Sequence, residues 1–202
     1  MRIAIDLNDV VRDFSNNFLR YYVEKYNHEF DLDEFEFWTN KMNELFPFNS
    51  EAAYHNFIYN DFAYELYGKC GVCTKNLETE LNTWMEKTLK DLDLDENVEV
   101  VIVSPMEYGL SIGSTLFFLS KIACKAREIF FPKNSAEIWD KCDVLITANP
   151  DLINLKPEDK YVIKINAEYN KGIQSDEEYS SLSSFIKNTD NLIKIVNKYE
   201  KI

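Results

Sequence analysis

The chain lacks long apolar runs, is poor in cysteine, and has far fewer bases than acids. Each shortage narrows what the protein can be. No window approaches the roughly 20 apolar residues of a membrane span, and Met1-Arg2-Ile3-Ala4-Ile5-Asp6 meets a charge too early for the apolar stretch of a signal peptide. The expectation is a soluble, cytoplasmic protein with no membrane partner. Only four cysteines occur, Cys70, Cys73, Cys124 and Cys142, and they do not make the paired framework of a small secreted scaffold. Cys70-Gly71-Val72-Cys73 has the spacing of half a zinc site, but no second pair follows and His55 is a distant third ligand, so reduced thiols are the expectation. The 22 bases against 35 acids leave a net charge of −13, whose field repels polyanions. A surface grip on polymeric nucleic acid is thereby disfavoured, while a small anion can still enter a locally basic pocket. No Pro/Gly/Ser-rich linker, repeat or low-complexity tract divides the chain.

What is present is enough apolar sequence for one substantial core: 202 residues, 46% hydrophobic. Short runs that end abruptly in polar residues read as buried strands, over Arg2 to Leu7, Val98 to Val103, Glu128 to Phe131, Cys142 to Ile146 and Tyr161 to Ile165. A helical pattern from Leu116 through Ala126 and a terminal helix from Asp190 to Ile202 alternate with them. The pattern predicts an α/β fold, a Rossmann-like parallel sheet flanked by helices. Ligands in such sheets sit beyond the carboxyl ends of the strands. Residues 15–96 differ, with a first helix (Phe18, Leu19, Tyr22, Val23, Tyr26), a dense aromatic stretch from Phe35 to Tyr67, and a helix from about Asn76 to Leu92. They are expected to form a helical cap inserted into a core of residues 1–14 and 97–202. An uncapped receiver-like fold is the structural alternative, and the size of this insertion argues against it.

Ile3-Ala4-Ile5-Asp6-Leu7-Asn8-Asp9-Val10-Val11-Arg12-Asp13-Phe14 resembles the first motif of the haloacid-dehalogenase superfamily, in which an apolar strand delivers an aspartate nucleophile. The helical insertion just after it and a later strand ending at Ser104 strengthen the likeness. Asp61 to Gly68 and Glu168-Tyr169-Asn170-Lys171 echo the pyrimidine 5′(3′)-deoxyribonucleotidase branch. The resemblance implies a HAD-like fold in which Asp6 attacks phosphorus to form an aspartyl-phosphate. Asn8 stands at the position of the general acid and base, where an amide has no proton to exchange at neutral pH; this loss implies about 10²–10⁴ in rate. Ser104 matches the hydroxyl that hydrogen-bonds the transferring phosphoryl group, and is also ordinary turn chemistry before Pro105. The family lysine has no clear counterpart: Glu137 stands at the expected spacing, Lys133 is the preferred substitute, Lys141 is the other, and each also reads as a surface lysine.

The acid pair that helps hold magnesium in the family is replaced by Thr147-Ala148-Asn149-Pro150. Magnesium is a hard cation that relies on a few carboxylates, so its binding here is expected to be weak or absent, with Asp6, Asn8, Asn149 and Asp151 as the remaining oxygen donors. Asp9, where relatives usually have glycine, reads as a displaced second acid or as a loop-capping carboxylate. Arg12 reads as a fixed cation at the loop mouth that holds an anion, or as a surface partner of Asp13 or Asp9. The reading that follows is a 5′-nucleotidase-like scaffold, poorly active or inactive, binding a small phosphorylated molecule or a protein partner. The alternative is a working metal-dependent phosphohydrolase acting through Asp6.

Overall fold

The computed structural model describes residues 1–26, 35–94 and 96–199. Its centre is a six-stranded sheet: β1 (Arg2–Asp6), β2 (Glu99–Val103), β3 (Glu128–Phe130), β4 (Val144–Thr147), β5 (Tyr161–Ile165) and β6 (Glu177–Tyr179), in the order β3-β2-β1-β4-β5-β6. Every neighbouring pair is parallel. A parallel sheet is covered on both faces, which is why these strands read as continuous apolar runs. Ile3, Ile5, Ile102, Ile146 and Ile163 face one core cluster, while Ala4, Val101, Val103, Leu145 and Val162 face another. The first is closed by α9 (Leu182–Ile186) and α10 (Thr189–Tyr199), and the second by α7 (Ser135–Trp139) and α8 (Pro150–Asn154). Of the terminal helix read to Ile202, residues 200–202 lie outside the described residues.

The α/β class and the parallel sheet expected from the sequence are what the structure has. β6 was not anticipated: Glu177-Glu178-Tyr179 is a short, polar edge strand with no apolar period to reveal it. The helix between β2 and β3 begins earlier than its pattern suggested, as α6 (Leu110–Lys121), because Gly109 turns the chain at positive φ just before it.

Packing divides the inserted segment. The chain leaves the core at Val11–Asp13 and returns at Gly71–Cys73, where Asp13 N–H donates to the Gly71 carbonyl at 3.0 Å and Cys73 N–H to the Val11 carbonyl at 2.9 Å. Between them lie α1 (Phe14–Tyr26), α2 (Met42–Leu45), α3 (Glu51–Asn56) and two π-helical turns, Phe57–Asp61 and Tyr64–Gly68. Their aromatics form a separate core: the Phe18 ring lies 5.1 Å from Phe46 and 5.3 Å from Phe57, and all three are buried. Such tilted contacts are favourable beyond the area they bury. The later part of the 15–96 segment belongs elsewhere. In α4 (Leu77–Thr83), a π-helical turn (Trp84–Thr88) and α5 (Leu89–Asp91), the residues Leu77, Leu81, Trp84 and Leu89 join the first sheet cluster. Among the described residues no helix is long and apolar enough to cross a membrane.

Candidate functional site

The chain runs outward from β1 to β2 and β3, then returns to place β4 on the other side of β1. The carboxyl ends of β1 and β4 therefore flank the point where strand order reverses, which is where open α/β sheets bind ligands. A cleft of about 340 Å³ opens there, with Asp6, Asn8, Asp9, Asn149 and Asp151 on the core side and Lys41, His55 and Tyr59 on the cap side. A hollow of about 430 Å³ at the amino ends of the strands, lined by Arg2, Glu99 and Arg127, has no comparable convergence of polar groups.

Register sets the first contact. Ile5 pairs with Ile146, so the next residues, Asp6 and Thr147, are neighbours on adjacent strands. Thr147 Oγ1 donates to Asp6 Oδ2 at 2.7 Å and accepts from Asn149 N–H at 3.0 Å. Asp6 is 2% exposed and its Oδ1 has no hydrogen-bond partner. Burial pushes its carboxyl up to about 7, against the lowering influence of the Thr147 hydroxyl and the Arg12 guanidinium.

The loop after β1 contains no glycine, so it is not a dinucleotide-phosphate cradle. It tightens on Leu7, whose carbonyl accepts from Val11 N–H at 3.0 Å and Arg12 N–H at 2.8 Å. Asp9 takes positive φ, 59°, a conformation that aspartate adopts more readily than most residues. Its carboxylate accepts from Ser15 N–H at 2.8 Å, from the Ser15 hydroxyl, and from the Tyr169 hydroxyl at 2.8 Å. Burial raises the Asp9 pKa despite these donors. The geometry is that of a loop-capping carboxylate.

Arg12 is fully buried rather than at the loop mouth, and it pairs with neither Asp9 nor Asp13. All five guanidinium donors have acceptors. Nε donates to Asn8 Oδ1 at 3.0 Å, Nη1 to Thr115 Oγ1 at 2.7 Å and the Tyr67 carbonyl at 3.2 Å, and Nη2 to Glu107 Oε1 at 2.8 Å and Asn8 Oδ1 at 2.5 Å. Nη2 also lies 3.3 Å from Ser104 Oγ, whose hydroxyl donates to Glu107. The two side chains that the family resemblance aims at a phosphoryl group, Asn8 and Ser104, are thus turned toward an internal cation.

Lys133 and Lys141 are not brought to the cleft. Lys133 is exposed beyond the end of β3, two strands from β1. Lys141 precedes β4, at the amino end of the sheet, with its amine 5.7 Å from the Phe130 ring centre. Asn149 Oδ1 accepts from Asp151 N–H at 2.9 Å and caps α8, and Asp151 is exposed, 3.9 Å from Lys41 Nζ. These placements do not complete a magnesium cage: the side-chain oxygens of Asn8 and Asn149 are engaged, and Thr147 points a proton at Asp6 where a second carboxylate would be needed, which leaves Asp6 Oδ1 and the Asn8 backbone carbonyl as the oxygens a cation could take. Among the described residues no group of three or more His, Cys, Asp or Glu side chains converges as metal ligands. Cys70 is buried, its thiol raised to about 12 by that burial and directed at the Asp13 carbonyl at 3.0 Å, and burial raises Cys73 as well.

Sequence reasoning missed Glu107, Thr115 and Lys41 as parts of this region, and named Tyr169 only within the Glu168-Tyr169-Asn170-Lys171 echo, without a role. Of the three, Glu107 carried a usable signal, an acid three residues after Ser104 that could answer a buried arginine.

No family model matches the chain, and no curated protein sequence matches it. Twelve solved chains match in structure. One is D,D-heptose 1,7-bisphosphate phosphatase from Burkholderia thailandensis, at 8% identity and a TM-score of 0.49, with 93% of this chain and 97% of that chain covered.

Proposed function

We propose that this protein is a HAD-type, 5′-nucleotidase-like cytoplasmic scaffold whose cleft binds a small phosphorylated molecule, with hydrolysis slow or lost. One observation carries the reading: the side chains available for phosphoryl transfer are engaged with one another. Asn8 has no exchangeable proton and is turned to Arg12; Ser104 is turned to Glu107; Thr147 donates to Asp6. A phosphate dianion arriving at Asp6 meets a carboxyl group whose neighbouring strand end offers the Thr147 hydroxyl in place of a second carboxylate, with Lys133 and Lys141 placed away from the cleft. The −13 net charge favours a small ligand over a nucleic-acid polymer.

The contrasting reading, a working phosphohydrolase, draws support from Asp6 itself, which lies in the cleft with Oδ1 free. A screen of nucleoside monophosphates and sugar phosphates with magnesium, manganese or no metal separates the two. Phosphate release at the level of Asp6→Asn supports the scaffold. Robust release that Asp6→Asn abolishes establishes the enzyme. Introducing both Asn8→Asp and Thr147→Asp restores the acid pattern of the family, and recovered turnover there identifies the cause of the loss.

A further inference from the structure

The core side of the cleft offers a phosphate little. Every Arg12 donor is engaged, Lys133 and Lys141 lie elsewhere, and the floor presents Asp6 and, nearer solvent, Asp151. A phosphomonoester needs charge-assisted donors, and one wall still carries them. Lys41 lies on the cap loop just before α2 and lines the cleft together with Asn40, Asn43 and His55. Its amine is half-exposed and only loosely paired, 3.8 Å from Glu44 Oε1 and 3.9 Å from Asp151 Oδ2, both beyond hydrogen-bond length. Such exposed pairs are weak, so a ligand anion can displace Asp151 from Lys41 at small cost.

We infer that a phosphorylated ligand docks in reverse: its anionic group sits on the cap wall at Lys41, and its uncharged, hydroxyl-bearing end faces Asp6. The inference rests on the function proposed above and adds the cation and the orientation. The floor suits that uncharged end, since Asp6 Oδ1 is an acceptor without a donor. Docked this way, the ligand turns its uncharged end, not its phosphorus, to the carboxyl that would attack it.

Calorimetric titration with inorganic phosphate and with a hexose 6-phosphate, beside the unphosphorylated hexose, tests the orientation. The expected result is phosphate-dependent binding that weakens about tenfold in Lys41→Ala, is largely kept in Lys41→Arg, and is unchanged in the distal Lys194→Ala. Asp6→Asn is expected to change phosphate affinity less than threefold, because the anion is not beside it. Binding that ignores Lys41→Ala and tightens tenfold or more in Asp6→Asn places the phosphate on the floor and overturns the inference alone. If the wild type binds neither phosphate nor the hexose 6-phosphate, both the inference and the proposed function fall.

Discussion

The two walls of the cleft are built on opposite plans. The floor, at the carboxyl ends of β1, β2 and β4, holds polar groups that satisfy one another: Arg12 with Asn8, Glu107 and Thr115, Asp9 with Ser15 and Tyr169, and Thr147 with Asp6. The cap wall has an aromatic core behind it and keeps its polar side chains, Lys41 and His55, exposed or half-exposed toward the opening. A functional anion site needs the reverse on its floor, with donors aimed at a space rather than at neighbours. The contrast teaches that polar side chains gathered at the carboxyl ends of strands need not face a ligand, so residue identity alone does not settle chemistry.

If the floor is structural, its members should behave as stability determinants, and the largest effect belongs to Arg12. Arg12→Ala leaves Glu107 buried without its cation and is expected to destabilise by about 3–5 kcal/mol in urea unfolding. A loss below about 1 kcal/mol would show that the network is slack.

Asp6→Asn should act in the opposite direction. The folded-state value near 7 lies above the ordinary 3.8, so the unfolded chain ionises first as pH rises. The contribution of Asp6 to stability is fullest below about 4, falls between there and about 7, and stays reduced above. Replacing the carboxyl should therefore stabilise by about 2–4 kcal/mol near pH 8 and by little near pH 4. A pH-independent difference in melting temperature between the two proteins would contradict the assignment.

Thr147→Val removes the donor to Asp6 and the acceptor of Asn149 N–H, and should cost about 1–3 kcal/mol while raising the Asp6 titration midpoint. Lys41→Ala, on the other wall, should change stability by less than about 0.5 kcal/mol, since its partners lie at 3.8–3.9 Å. A large loss there would mean that the cap wall, too, is held by its polar groups.

Sheet and site were legible to different degrees. Runs such as Val100-Val101-Ile102-Val103 announce buried parallel strands because burial on both faces demands apolar residues at every position. Asp6 was legible for the same reason: a carboxylate ending such a run lies at the carboxyl end of a buried strand, where such sheets bind ligands. Two readings of Asp9 were open, and its hydrogen bonds to Ser15 and Tyr169 favour the capping one. Arg12 defeated sequence reasoning because its five acceptor residues, Asn8, Tyr67, Ser104, Glu107 and Thr115, come from four segments, and no local pattern signals a guanidinium that will be buried. The split of the inserted segment was hidden too, since Leu77, Leu81, Trp84 and Leu89 have the same helical period whether they face a cap or a sheet.

The central claim is that Asp6 is a buried carboxyl held by Thr147, in a floor that does not gather a metal ion. Carbon-13 NMR of the Asp6 carboxyl across pH, with and without millimolar magnesium, tests it most directly. The account predicts a midpoint near 7 that magnesium does not move. A midpoint driven down toward the ordinary carboxylate range by magnesium would show a cation seated against Asp6, and would contradict it.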